Sequence, residues 1–182
     1  MSSLRGQLLV ASPSLLDPNF RRSVVLVAEH SEEEGAMGLV LSRPSGTTVV
    51  EAVPLLEPLV EPGAVVHVGG PVESSSVLVL AEFEDPDDAA AVVFDGVGFM
   101  SADADPDSLA PVTLRARVFA GYSGWGAGQL ESELDEESWL VLDPEASDIF
   151  APDAADLWST VLHRQGGALA LLARMPPDPS MN

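Results

Sequence analysis

The sequence of 182 residues contains neither cysteine nor lysine. The lack of cysteine excludes disulfide bonds and thiolate metal ligands, and it is compatible with a reducing compartment. All eight basic residues are arginines, against 29 aspartates and glutamates, so that the formal net charge is −21. A field of this sign repels nucleic acids and anionic membranes. We therefore expect no direct nucleic-acid contact and no membrane association.

Long apolar runs are also missing. No run reaches the ~20 residues that a membrane-spanning helix requires, and the N-terminal run, Leu8–Val10, is too short for the hydrophobic region of a signal peptide. The sequence therefore predicts a cytoplasmic protein. Its length predicts a single domain, 1–174, followed by a flexible proline-rich tail, 175–182.

The hydrophobic pattern predicts many short strands and a few short helices. Two largely apolar runs, Ser23–Ala28 and Ala36–Leu41, predict a central hairpin, and Asp95-Gly96 predicts the turn of another. Thr48 followed by Glu51 predicts a capping box at a helix start. Because strands and helices do not alternate strictly, we expect an α+β fold with a largely antiparallel sheet.

The most conspicuous segment is Gly121–Leu130, which has four glycines within eight residues, with Tyr122 and Trp125 between them. A strand leads in and an acidic helix leads out. A dinucleotide loop would need a sixth-position glycine where Gln129 stands, and a nucleophile elbow around Ser123 would need its second glycine where Trp125 stands. We therefore interpret the segment as a tight turn packed by aromatic rings.

Titratable residues show no pattern typical of catalysis or metal binding. The histidines, His30, His67 and His163, lack ligand spacing on one helix or strand. His30 lies among the glutamates of 29–34, a loop without the ordered spacing of a calcium site. No pair of titratable groups has recognisable catalytic spacing. The sequence thus predicts no catalytic residue, no metal site and no cofactor.

Polar residues alternate with apolar ones in two of the predicted strands. Arg115 and Arg117 alternate with apolar neighbours in the strand before the glycine segment. Side chains two apart share a strand face, so we expect this face to be solvated or to meet acidic groups. His67 stands between two valines, and we expect it on a polar face by the same argument.

Several segments, taken together and in order, resemble the AlgH/YqgE-like family of small bacterial proteins. They are Gly6–Pro13, Asp17–Val25, Glu29-His30, Gly35–Leu41, Gly69–Val72, Gly121–Glu131, Glu133-Leu134 and Trp139-Leu140. The resemblance covers nearly the whole chain. Members often have Asn at Ser42 and Asp-Arg-Gly within Glu73–Ser76, so no role of those groups is carried over. The resemblance implies a bifurcated sheet folded into a partial barrel with peripheral short helices, and it implies no established activity, although some members are labelled transcriptional regulators.

We expect a non-enzymatic cytoplasmic binding or regulatory module that acts through a protein partner or a small ligand, as a monomer or weak dimer. Tyr122, Trp125 and Gln129 offer rings and an amide beside flexible backbone, and such rings often anchor partners. The two rings could equally serve only to plug the end of the sheet. The alternative is a ligand-binding domain or enzyme whose site adds to this turn five further residues: Arg22, His30, Gly69, Gly70 and Pro71.

Overall fold

Short runs of β-branched and other apolar residues form the strands. The computed structural model describes residues 2–177. Its strands are β1 (Leu8–Ala11), β2 (Val24–Ser31), β3 (Gly35–Val40), β4 (Pro44–Thr48), β5 (Val65–Val68), β6 (Val72–Phe83), β7 (Ala91–Phe94), β8 (Val97–Phe99), β9 (Thr113–Trp125) and β10 (Trp139–Leu142). Its α-helices are α1 (Val49–Ala52), α2 (Pro106–Leu109), α3 (Gln129–Asp135), α4 (Ala146–Ile149), α5 (Leu157–Gln165) and α6 (Gly167–Leu172). Short 3₁₀ helices lie at Pro54–Leu59, Pro86–Asp88, Ala110–Val112 and Ala154–Asp156.

The ten strands form one sheet that branches at β9. Its main path is β10-β1-β2-β3-β9-β6-β8-β7, and β4 and β5 form a side branch in which β5 pairs with β9. The β5–β9 pairing is parallel and the other pairings are antiparallel. This confirms the predicted α+β class and the largely antiparallel, bifurcated sheet, which over residues 2–177 is not closed into a full barrel.

Local signals in the sequence are confirmed where they depend on turns and caps. The strands β2 and β3 pair as the predicted hairpin, and β7 and β8 flank Asp95-Gly96. The Thr48 side chain accepts from the backbone N–H of Glu51, whose carboxylate accepts from the backbone N–H of Thr48. Side-chain acceptors replace the missing intrahelical partners at the start of α1.

The core consists of three apolar clusters around β9 and its neighbours. On one face, Leu157, Trp158, Val161 and Leu162 of α5 are buried against strands β1, β2 and β3. The second cluster lies on the other side of β1 and β2, beneath α3. The third joins α1 and the following 3₁₀ helix to β5, β6 and β9. The third cluster thus borders the branch of the sheet.

The C-terminal region ends the described part of the chain. The longest helix described, α5, has nine residues, and no helix within residues 2–177 is long and apolar enough to cross a membrane. Of the tail predicted to be flexible, 175–182, only the first three residues belong to this part. The remainder of that prediction lies outside the described residues.

Candidate functional site

The glycine segment forms the C-terminal end of β9 and the turn into α3. Trp125 is only 4 % exposed. Its ring centroid lies 5.9 Å from that of Phe20 and 6.1 Å from that of Trp139. Both indole N–H groups donate to the same Glu133 oxygen, at 2.9 Å from Trp125 and 2.8 Å from Trp139. The ring is therefore part of a buried aromatic cluster with a carboxylate cap.

The predicted ligand residue Gln129 completes the hydrogen bonds of this turn. Its side-chain oxygen accepts from the backbone N–H of Gly126 at 3.0 Å, and its Nε2 donates to Glu133 at 3.1 Å. The helix that it begins, α3, has only seven residues. Both ends of the Gln129 amide are thus used inside the turn.

His30 lies beside the same helix and bonds to Glu131. The His30 Nε2 and the Glu131 Oε1 are 2.7 Å apart, and the Leu4 backbone N–H donates to the His30 Nδ1 at 2.9 Å. Because Nδ1 accepts, the ring proton lies on Nε2 and points at the carboxylate. This hydrogen bond lowers the pKa of the Glu131 carboxyl. Neither ring nitrogen keeps a free lone pair, so the imidazole in this geometry does not act as a base.

The Gly69–Pro71 turn packs directly on the first residues of the glycine segment. A Cβ on Gly70 would lie 2.2 Å from the Tyr122 carbonyl oxygen and 2.4 Å from the Ser123 Oγ. Ser123 donates its hydroxyl to the Gly69 carbonyl at 3.1 Å. The two turns therefore pack against each other and fill the space between them with their own backbones.

Arg22 lies against the C-terminal helices. It donates to the Met175 carbonyl at 2.8 Å, and its guanidinium carbon lies 4.2 Å from the Trp158 ring centroid. The structure thus places the eight predicted residues in three groups. They are His30, Trp125 and Gln129 around α3; Gly69, Gly70, Pro71 and Tyr122 at the paired turns; and Arg22 alone.

A groove of about 540 Å³ lies at the other end of β9, and none of those eight residues lines it. Its lining consists of Pro44, Val49, residues 58–65, His67, residues 114–118 and Phe150 with residues 152–155. One wall is the third apolar cluster. Volumes of this size are typical of sites for small ligands. The groove is therefore the candidate functional site.

Two arginines, Arg115 and Arg117, line this groove together with the acidic residues Glu61 and Asp153. The Arg117 Nη1 donates to the carbonyls of Ile149 and Ala151, at 3.0 and 2.9 Å. No carboxylate oxygen of residues 2–177 lies within 4 Å of its guanidinium. Burial lowers the pKa of Arg117, yet a guanidinium remains protonated at neutral pH. The groove thus holds a positive charge whose counter-ion is not supplied by the described chain.

Arg115 lies two residues earlier on the same strand face and, in contrast to Arg117, has a carboxylate partner. Its Nε lies 2.7 Å and its Nη2 2.6 Å from the Glu82 carboxylate. Its guanidinium carbon is 4.8 Å from the Phe150 ring centroid. The prediction that this strand face meets acidic groups is confirmed for Arg115. Of these two groove arginines, Arg117 is the one without a carboxylate partner among residues 2–177.

His67 is a further polar group of the groove. Its side chain packs on Phe119, and its Nδ1 lies 3.2 Å from the Val65 carbonyl, to which it donates. The Nε2 lone pair makes no hydrogen bond to a described residue. Burial, followed by the charge of Arg117, lowers the pKa of His67 to about 4. His67 is only 4 % exposed, so the expectation of a polar face was wrong: its ring is buried and packs on Phe119.

Sequence reasoning therefore missed Arg117 and His67 as site residues. The available signal was weak: two arginines alternate in one strand of a chain with only eight cations. Whether each has an acidic partner depends on residues far away in sequence. Among the described residues, no three His, Asp or Glu side chains are close enough to hold a metal ion.

The similarity to known proteins extends over the whole chain. Residues 8–170 match the family described as AlgH-like. The chain is 43 % identical to a UPF0301 protein of Streptomyces coelicolor, covering all of this chain and 97 % of that protein, and 42 % identical to one of Thermobifida fusca, with coverages of 99 % and 96 %. The names of these relatives state a family and no activity.

Two solved structures share the fold. The crystal structure of protein DIP2367 from Corynebacterium diphtheriae superposes with a TM-score of 0.87 at 32 % identity, covering 96 % of this chain and 93 % of that one. The solution structure of the AlgH protein from Pseudomonas aeruginosa gives 0.72 at 30 % identity, with coverages of 96 % and 95 %. By sequence and by fold, this chain belongs to the AlgH-like family.

Proposed function

We propose that this chain is a non-enzymatic binding or regulatory module of the cytoplasm, acting as a monomer or weak dimer. Its ligand carries an anionic group and an apolar body, and it occupies the groove beside β9. The anionic group binds Arg117, while the apolar body packs on the third cluster. The Nε2 of His67 accepts a hydrogen bond from the ligand.

One observation carries this proposal. The chain has 29 acidic residues and eight arginines, and yet the half-buried guanidinium of Arg117 has no carboxylate partner among residues 2–177. Burying a charge is costly unless it is paired. A carboxylate or phosphate ligand would form the missing charge-assisted hydrogen bonds, which are roughly twice as strong as neutral ones.

The contacts around His30 argue against a catalytic site there. A general base needs a free lone pair within reach of its substrate. Both His30 nitrogens are engaged, with Leu4 and Glu131. In the groove, His67 has a pKa of about 4, so it is neutral near pH 7 and a weak base. These features support binding rather than proton transfer.

A thermal-shift screen tests the proposal. The probes are a panel of alkyl and aryl carboxylates and phosphate monoesters. A probe at ~100 times its Kd stabilises the fold by about 2.7 kcal/mol, which raises the Tm by about 5–10 °C for a chain of this size. We expect at least one probe to do so with the wild type, and Arg117→Met to lose the shift.

Two further variants serve as controls. Arg174→Met removes an exposed arginine outside the groove, and we expect it to keep the full shift. Arg22→Gln tests the site predicted from the sequence: a shift lost in Arg22→Gln but kept in Arg117→Met would place the ligand at Arg22 instead. If every anionic probe leaves the wild-type Tm unchanged, the proposed function is overturned.

A further inference from the structure

The groove runs along an edge of β9 that has room for a further strand. Five consecutive residues of β9, Leu114–Val118, line it. Successive side chains of a strand point to opposite faces, so the strand must meet the groove with its edge. On this side β9 pairs with β5 at only two positions, Phe119 and Ala120, and then with β3 from Ser123. No strand of residues 2–177 pairs with Leu114–Val118 there.

The backbone groups of this edge point into the groove. Odd-numbered residues of β6 bond to the β8 side, as shown by Phe83 donating to Gly96 and Met100 donating to Val79. The even-numbered residues of β6 therefore bond to β9, where their partners are Arg115, Arg117 and Phe119.

Backbone direction alternates along a strand, so Ala116 and Val118 of β9 face away from β6. The Gly69 backbone N–H bonds to the Ala120 carbonyl on that same side, which agrees with this alternation. Ala116 thus presents both its N–H and its C=O to the groove. An exposed edge of this kind is a template for pairing with another chain.

The groove is closed at one end by the fold itself. A strand laid along Leu114–Val118 would reach β5 where His67 pairs with Phe119. The same end of the groove holds Arg117. A chain therefore has to stop there, and the charge of Arg117 attracts a terminal carboxylate and repels a terminal amine. A carboxylate at that end requires the chain to run parallel to β9, as β5 does.

We infer that the ligand of the groove is the C-terminal end of a partner protein, bound as an extra strand parallel to the N-terminal half of β9. This inference rests on the proposed function and names its ligand. The last four or five residues are extended, since five strand residues span roughly 17 Å. The terminal carboxylate binds Arg117, and alternate side chains are apolar because they pack on Val49, Leu59 and Val118 of the third cluster. This mode combines strand addition with capture of a chain end.

A peptide selection tests the inference. The probe is a display library of random seven-residue peptides fused so that their carboxyl termini are free. We expect the wild type, but not Arg117→Met, to enrich sequences with apolar residues at alternate positions near the terminus. An enriched peptide is then synthesised as the free acid and as the C-terminal amide. We expect the amide, and the acid with Arg117→Met, to bind at least ~10-fold more weakly, and Arg174→Met to bind normally.

The pairing of the peptide with β9 is tested separately, by changing the peptide and not the protein. N-methylation of the peptide removes one backbone donor at a time. We expect binding to fall at every second position only, because alternate N–H groups face β9. In hydrogen exchange, the amides of Ala116 and Val118 should gain protection in the complex.

The outcomes separate this inference from the proposed function. If no peptide is enriched while a small carboxylate or phosphate binds through Arg117, the inference is overturned and the proposed function stands. Equal binding of acid and amide, or a loss at all N-methyl positions alike, also overturns it. If neither peptides nor small anions bind, both fail.

Discussion

The two ends of strand β9 differ in how they use their polar groups. At the C-terminal end, Trp125 and its neighbours share Glu133 as an acceptor, and β3 pairs with the backbone. At the N-terminal end, Arg117 has no carboxylate partner, and the edge of Leu114–Val118 has no strand partner, among residues 2–177. The C-terminal end of β9, which carries the glycine segment, is thus closed by residues of its own chain. The N-terminal end, which no sequence motif marks, is open to a ligand.

The largest effect should come from crowding the closed end. Gly121 has φ +71°, and a Cβ there would lie 2.6 Å from the Gly70 carbonyl oxygen. We expect Gly121→Ala to lower the free energy of unfolding by more than about 3 kcal/mol, because strain in φ and a steric clash add together. Chemical denaturation of the variant measures this.

Gly128 is the matched control. It has nearly the same φ, +73°, but no atom within 4 Å of a Cβ. We expect Gly128→Ala to cost only about 1–2 kcal/mol. Equal losses for the two variants would show that backbone strain alone, and not the packing of the two turns, requires glycine at Gly121.

The next effect concerns the shared carboxylate. Glu133→Ala leaves the indole N–H groups of Trp125 and Trp139 without their acceptor. We expect a loss of about 2–3 kcal/mol and a Tm lower by about 5–10 °C, with unchanged ligand binding in the groove. Asp135→Ala on the same helix serves as the control, because its side chain is exposed. A Tm equal to that of Asp135→Ala would mean that the carboxylate is dispensable.

Much of the closed end could be predicted from the sequence, because its signals are local. Turn glycines and the β2–β3 hairpin each depend on residues a few positions apart. The open end depends on long-range pairing. Glu82 reaches Arg115, while no acid of the described residues reaches Arg117. This follows from the register of β6 and from the segment near Ile149, which no local pattern encodes.

A smaller effect should appear at the open end when the pH falls. The pKa of His67 in the fold is about 4, below the ordinary 6.5. As the pH falls, His67 therefore takes up a proton in the unfolded chain before it does so in the folded chain. Its contribution to the free energy of unfolding is complete above about pH 6.5 and is lost as the pH falls toward 4. Since solvent reaches the groove, we expect a loss of about 2 kcal/mol, rather than the full value of the shift.

The difference in stability between the wild type and His67→Gln, measured from pH 7 to pH 4, isolates this effect. His163→Gln, which alters a surface histidine, should keep the wild-type profile. NMR titration of the His67 ring measures the pKa directly, and a bound anion should raise it. An imidazole that titrates near 6.5 without ligand would contradict the burial of His67.

The smallest effect on stability should come from the residue that matters most for binding. Arg117→Met removes two hydrogen bonds to the carbonyls of Ile149 and Ala151. It also removes the cost of a half-buried charge that has no carboxylate partner within residues 2–177. These changes oppose each other, and we expect the free energy of unfolding to change by less than about 1 kcal/mol. In Glu133→Ala two indole N–H groups lose their acceptor, so the polar group there is needed for stability. A loss above about 2 kcal/mol in Arg117→Met, measured by chemical denaturation, would mean that Arg117 serves the fold as Glu133 does, and the contrast between the two ends of β9 would no longer point to a ligand.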